Sequence, residues 1–163
     1  MLAVFLMKSN FCKGRAVSLL GFSLGTVVIF NCLRILKFFY REGFANAGSI
    51  LNDVILWAGA EVIDPKKTEA ERMRKAFHCG VVSGRLINVF SAKDTALSSA
   101  MPRIYPGHVP VGLLPIFEDV PKDEDASLGC KRASNVDVVE ESPGHMDYKT
   151  NCELFWYKVP QPF

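Results

Sequence analysis

RAVSLLGFSLGTVVIF, residues 15–30, decides how the chain is read. It divides into a short apolar run (Ala16–Leu20), a tight turn (Gly21-Phe22-Ser23-Leu24-Gly25) and the start of an apolar helix. The turn fits the G-x-S-x-G nucleophile-elbow pattern, in which a serine hydroxyl stands above the carboxyl end of a strand at the cost of a strained backbone. Glycines two residues before and two after let strand and helix pass closely without Cβ clashes. The helix that follows aims its free N–H groups at the place where an oxyanion would form. By composition alone such a pattern turns up in roughly one chain in twenty of this length, so its surroundings must decide.

Those surroundings match the pattern. Lys13-Gly14-Arg15 is a polar turn ahead of the strand, and Leu24, Val27, Val28, Ile35, Leu36 and Phe39 recur at helical spacing. A membrane span is the competing reading, because the 18 residues between Arg15 and Arg34 carry no charge. The two glycines, two serines, threonine and asparagine in that stretch suit a strand-turn-helix better.

The 163 residues, 49% hydrophobic and 22% charged, suit a single globular domain. The formal net charge of +2 leaves no nucleic-acid footprint. Five cysteines (Cys12, Cys32, Cys79, Cys130 and Cys152) form no C-x-x-C pair, which predicts reduced thiols in a cytosolic setting and neither a disulfide frame nor a metal site. No cofactor is expected. Met1–Met7 is too short for a signal peptide and reads as an amphipathic or buried helix end.

Further along, Arg41-Glu42-Gly43 closes the central helix, with Gly43 as the C′ residue. Asn52–Ala58 is a continuous apolar run, as expected of a strand buried on both faces. Thr68-Glu69-Ala70-Glu71 is a capping box opening a helix to about Phe77. Arg85–Ser91 is a third strand. Met101–Pro115, with four prolines, reads as a loop or lid-like cover that exposes apolar residues. Glu118–Ser134 is a polar, mobile insertion, residues 118–134. Asn135–Val139 is a fourth strand, and Asp147–Tyr157 a final helix. Alternating strands and helices predict an α/β fold: a three-layer α/β/α sandwich on a mostly parallel sheet.

Three residues fall just beyond strand carboxyl ends, in the chain order Ser, acid, His that goes with this elbow: Ser23, Asp94 and His145. Ser23 would attack an acyl carbon, His145 would carry the proton, and Asp94 would hold the imidazole. The Leu24 N–H is the expected oxyanion donor. Each also has a plainer role: Ser23 as a turn serine, Asp94 as the N-cap of a helix from Thr95, His145 as a loop histidine beside Asp147. Order and position together select the three. Asp64 is the rival acid on the same rim. Asp53 enters a strand at the wrong end, His78 precedes the third strand, and His108 lies in the proline-rich loop. Asp94 is expected on a surface rim, so that Asp94→Asn leaves the fold intact.

LLGFSLGTVVIFNCL, NDVILWAGAEV, VVSGRLINVFSAKD and NVDVVEESPGHMDY resemble the α/β-hydrolase domain of the transmembrane and coiled-coil domain-containing protein 4 family, also described as domain of unknown function 726. The resemblance runs from about Arg15 to Tyr148. It implies a lipase- or esterase-like serine hydrolase in a membrane-associated protein, with nucleophile Ser23, acid Asp94 and base His145. It further implies a small-molecule or lipid ester as substrate, no nucleic acid, and transmembrane segments upstream. With the reduced cysteines, it points to the cytosolic face of a membrane. The fold places several strands, and a second oxyanion N–H, ahead of the elbow. Only 22 residues precede Ser23 here, so the chain reads as the C-terminal portion of such a domain, truncated at its N-terminus, with an exposed edge on the first strand. The alternative is a catalytically inactive interaction module of a membrane protein.

Overall fold

The computed structural model describes residues 1–10, 12–48, 50–63, 81–117, 133–142 and 144–160. Its centre is a four-stranded parallel sheet of β1 (Val17–Phe22), β2 (Leu51–Trp57), β4 (Leu86–Phe90) and β6 (Ala133–Asp137), in the order β1-β2-β4-β6. A two-stranded antiparallel ribbon, β3 (Val62–Ile63) with β5 (Val109–Pro110), stands beside it. The helices are α1 (Leu2–Lys8), α2 (Leu24–Arg41), α3 (Thr95–Ile104), α4 (Asp147–Thr150) and α5 (Cys152–Phe155). This is an α/β fold.

Alternation along the strands sorts two cores onto the two sheet faces. Val54 and Leu56 of β2 pack with Leu6 of α1 and with Ile29, Leu33 and Leu36 of α2. Ile55 and Trp57 turn the other way, toward Ile87, Val89, Leu97, Met101 and Val136. β4 is buried along its whole length, as a central parallel strand must be. β1 lies at one edge of the four-stranded sheet, and its Leu20 is half exposed.

The end of α2 follows the Gly43 expectation closely. Gly43 has φ +90°, its N–H donates to the Tyr40 carbonyl, and Phe44 N–H donates to the Phe39 carbonyl. The Phe39 and Phe44 rings meet edge to face at 5.5 Å. This is a Schellman closure with its apolar clasp.

Three expectations need correction. Met101–Pro115 is not an open loop: α3 continues through Pro102 to Ile104, and Met101, Val111 and Gly112 are buried. Pro102 lies late in the helix and costs only the one bond its missing N–H would have made to Ser98. The fourth strand begins at Ala133, inside the stretch read as an insertion, and ends at Asp137. The rest of that stretch, residues 118–132, lies outside the described residues, as do the capping box and its helix. The final helix is broken at Asn151 into α4 and α5, followed by a 3-10 turn at Trp156–Lys158.

At the amino ends of the strands, Asp53 accepts from the Arg85 guanidinium at both oxygens, 3.0 Å each, and from the Arg85 N–H at 2.8 Å. The Arg85 hydrogen bond holds the Asp53 carboxyl below its usual value. The described cysteines Cys12, Cys32 and Cys152 are free thiols. Burial pushes the Cys32 thiol up to about 11.

Candidate active site

Ser23 joins β1 to α2 with φ 53° and ψ −120°, a left-handed backbone that a side-chain-bearing residue holds only when its surroundings force it. The forcing groups are visible. Ser23 N–H donates to the Trp57 carbonyl at 3.0 Å, across to β2. The Ser23 carbonyl accepts from Thr26 N–H at 3.1 Å, from Ala60 N–H at 3.2 Å and from the Thr26 hydroxyl at 2.6 Å. The fully buried Thr26 oxygen in turn accepts from Ala60 N–H at 3.1 Å. Thr26 thus pins the turn to the end of β2. A threonine three residues after the elbow serine was the available sequence signal, and it passes as an ordinary helix residue.

The two elbow glycines differ. A Cβ on Gly21 would lie 2.7 Å from the Ile29 side chain and 3.0 Å from backbone atoms of Gly25 and Thr26. A Cβ on Gly25 would meet nothing within 4 Å. Close passage of strand and helix therefore rests on Gly21 alone, and the clearance role expected of Gly25 is not found.

Asp94 follows β4 and is fully buried, which corrects its placement on a surface rim. Its two oxygens have separate tasks. Oδ1 accepts from Leu97 N–H at 3.0 Å and so N-caps α3, and Oδ2 lies 2.7 Å from His145 Nδ1. One side chain thus caps α3 and also meets the imidazole. His145 Nε2 lies 2.9 Å from Ser23 Oγ. With the proton on Nδ1, that nitrogen donates to Asp94 and Nε2 accepts from the serine hydroxyl.

The loop after β6 that delivers His145 is closed on itself. Gly144 N–H donates to Asp147 Oδ2 at 2.8 Å, and Asp147 N–H donates to the Gly144 carbonyl at 3.1 Å. Phe22 lies against the imidazole with ring centroids 5.0 Å apart, and Lys149 Nζ stands 4.8 Å from the centroid of the Phe22 ring. Tyr148 is buried behind, its hydroxyl pKa raised by burial first and then by the charges of Asp94 and Asp137. Neither Phe22 nor Tyr148 was picked out as a site residue, because an aromatic beside a turn reads as core.

Leu24 opens α2, so its N–H is one of the first-turn donors without an intrahelical acceptor. Asp64 and His78 lie outside the described residues. Asp53 is at the opposite end of the sheet with Arg85, and His108 is half-buried, with Nδ1 3.2 Å from the Pro106 carbonyl. Among the described residues, no group of three or more His, Cys, Asp or Glu side chains converges as a metal site would require.

A family model described as a protein of unknown function, DUF726, matches residues 1–159. The chain belongs to this family. Two relatives are an uncharacterized membrane protein of Schizosaccharomyces pombe, 32% identical over 135 residues, and the transmembrane and coiled-coil domain-containing protein STS1 of Oryza sativa subsp. japonica, 33% identical over 148 residues. The matches cover 83% and 91% of this chain but 19% of each relative, so the chain spans about a fifth of the length of these curated relatives. No solved structure matches it. Both relatives are named as membrane proteins. Among the described residues of this DUF726 chain, no helix is long and apolar enough to cross a membrane.

Proposed function

We propose that the chain is the reactive part of a serine hydrolase acting on acyl esters, lipid esters foremost. One observation carries the reading: the continuous hydrogen-bonded line from Ser23 Oγ through His145 to the buried Asp94 carboxylate, 2.9 Å and 2.7 Å long at its two links. In this reading Ser23 Oγ attacks the acyl carbon while His145 Nε2 takes its proton, and Asp94 stabilises the imidazolium that results. The Leu24 N–H, at the positive end of α2, faces the oxygen that gains charge. The ester C–O bond then breaks, and His145 gives its proton to the departing alkoxide. A water molecule, deprotonated by His145, attacks the acyl-serine. The carboxylic acid leaves, and Ser23 regains its hydrogen.

The preference for lipid esters is supported by the exposed Leu24 beside the nucleophile and by the names of the relatives. The same names, with the free thiols, support residence at the cytosolic side of a membrane. Native disulfides would contradict that placement.

A fluorophosphonate probe tests the reaction. Labelling that Ser23→Ala abolishes is the expected result, with ester turnover falling on the order of 10⁶-fold, as when a nucleophilic serine is removed elsewhere. A chain that never labels, or labels equally after Ser23→Ala, is an inactive interaction module.

A further inference from the structure

The turn that carries Ser23 is tied to the loop that carries Asp94 by a second route, one that does not pass through His145. It starts at Thr26. The Thr26 hydroxyl donates to the Ser23 carbonyl at 2.6 Å and accepts from Ala60 N–H at 3.1 Å and from Glu61 N–H at 3.4 Å. Residues 58–61 then cross residues 111–112. Val111 N–H donates to the Glu61 carbonyl at 2.8 Å, and Gly112 N–H donates to the Gly59 carbonyl at 2.9 Å. From there the route reaches the acid. Ser91 N–H donates to the Gly112 carbonyl at 3.0 Å, and Asp94 N–H donates to the Ser91 carbonyl at 3.1 Å.

The crossing leaves no slack. A Cβ on Gly112 would lie 2.3 Å from the Gly59 nitrogen and 2.5 Å from the Ala58 carbonyl carbon, so backbone rests directly on backbone. Among the described residues, Ser23 (φ 53°) and Ala58 (φ 45°) are the two side-chain-bearing residues with positive φ, and they follow the neighbouring strands β1 and β2. Strain of this kind persists only where the surroundings over-determine it. Thr26, Ala58, Ser91 and Asp94 are all fully buried, where hydrogen bonds are strongest.

We infer that Thr26 is a positioning residue for Ser23, and that the crossing it anchors is a brace setting the gap between Ser23 and Asp94 that the imidazole spans. A helical threonine whose hydroxyl bonds only the carbonyl three residues back is commonplace. The Ala60 and Glu61 amides, 34 and 35 residues away, set Thr26 apart. The links of the Ser23–His145–Asp94 line are 2.9 Å and 2.7 Å, and neither survives as a hydrogen bond if its ends part by an ångström. Released from the Thr26 oxygen, the Ser23 turn relaxes and Oγ leaves Nε2. The inference rests on the hydrolase reading and adds to it a residue that touches neither the substrate nor the reacting atoms.

The test is the rate of fluorophosphonate labelling of the 163-residue chain as a function of probe concentration. Thr26→Val keeps the branched shape without the hydroxyl. It should lower the maximal labelling rate on the order of 10²-fold, the cost of a misplacement of about 1 Å. The probe concentration at half-maximal rate should stay where it is. Thr26→Ser restores the hydroxyl and should label nearly as the wild type does. Ser98→Ala removes a hydroxyl that bonds only the Thr95 carbonyl three residues back, on the exposed side of α3, and should change nothing. Circular dichroism checks each fold. If Thr26→Val does not fold, Ala58→Gly carries the test: glycine accepts the positive φ without strain, and the slackened brace should lower the rate roughly tenfold.

A folded Thr26→Val that labels at the wild-type rate overturns the inference, and so does an equal loss in Thr26→Ser or Ser98→Ala. Unchanged labelling of Ala58→Gly does the same where that variant carries the test. In each of these cases the wild type still labels at Ser23, so the hydrolase reading stands. A wild type that never labels removes the hydrolase reading and the brace with it.

Discussion

Two buried carboxylates stand at opposite ends of the same parallel sheet and have opposite kinds of partner. Asp53, at the amino end of β2, is gripped by a guanidinium that never gives up its proton. Asp94, beyond the carboxyl end of β4, is held by one backbone N–H and an imidazole, which does exchange protons. The first arrangement can only fasten β2 to the strand beside it. The second fastens α3 and also leaves the far nitrogen of the ring in contact with a hydroxyl. A carboxylate's place in an α/β fold, and the acid–base range of its partner, together separate a clamp from a working group.

Substitution by asparagine at each position breaks or sharpens this contrast. Asp94→Asn should lower probe labelling and ester turnover on the order of 10⁴-fold, because an amide favours the wrong imidazole tautomer. Its stability should change little, since asparagine caps a helix as well as aspartate does. Thermal unfolding and labelling, measured on the same sample, check both halves. An unfolded Asp94→Asn, or one that labels normally, removes the distinction.

Asp53→Asn should do the reverse. It leaves Arg85 largely buried beside a neutral amide and should cost about 2–4 kcal/mol in a denaturant titration, while folded molecules still label at Ser23. pH gives a second handle. The folded Asp53 carboxyl titrates below its usual value, so the stability it contributes is complete above about pH 4 and drains away as pH falls through the lower, folded value. The wild type should therefore lose stability on acidification more steeply than Asp53→Asn.

A smaller effect separates the two glycines of the elbow. Gly21→Ala forces a methyl against the Ile29 side chain and the backbone of Gly25 and Thr26, and should cost about 1–3 kcal/mol. Gly25→Ala enters open space in a helix and should be neutral or stabilising by up to about 1 kcal/mol. Equal costs would mean that the turn needs both glycines for clearance after all.

The contrast also explains what the amino-acid sequence revealed. Ser23, Asp94 and His145 could be named because each follows a strand closely, and strand ends show up as breaks in apolar runs. The parallel sheet was legible for the same reason. The depth of Asp94 was not, since a polar residue after a strand looks like surface until the helix it caps folds over it. The extent of α3 was hidden by Pro102, whose missing N–H reads as a stop although a cap at Asp94 and the buried Met101 hold the helix through it. Thr26 was invisible because its value lies in a contact with Ala60, 34 residues away. The partner that makes Asp53 structural, Arg85, is likewise remote in the chain.

Because one carboxylate serves both Leu97 and His145, the Leu97 amide is a spectroscopic gauge of the site. Its proton shift and its exchange with deuterium report whether Asp94 is in place, without any substrate present. The two oxygens belong to one rigid group, so fraying of the first turn of α3 and misalignment of the imidazole are a single event. Warming should silence the serine at the temperature where that one amide begins to exchange, ahead of the melting of the sheet.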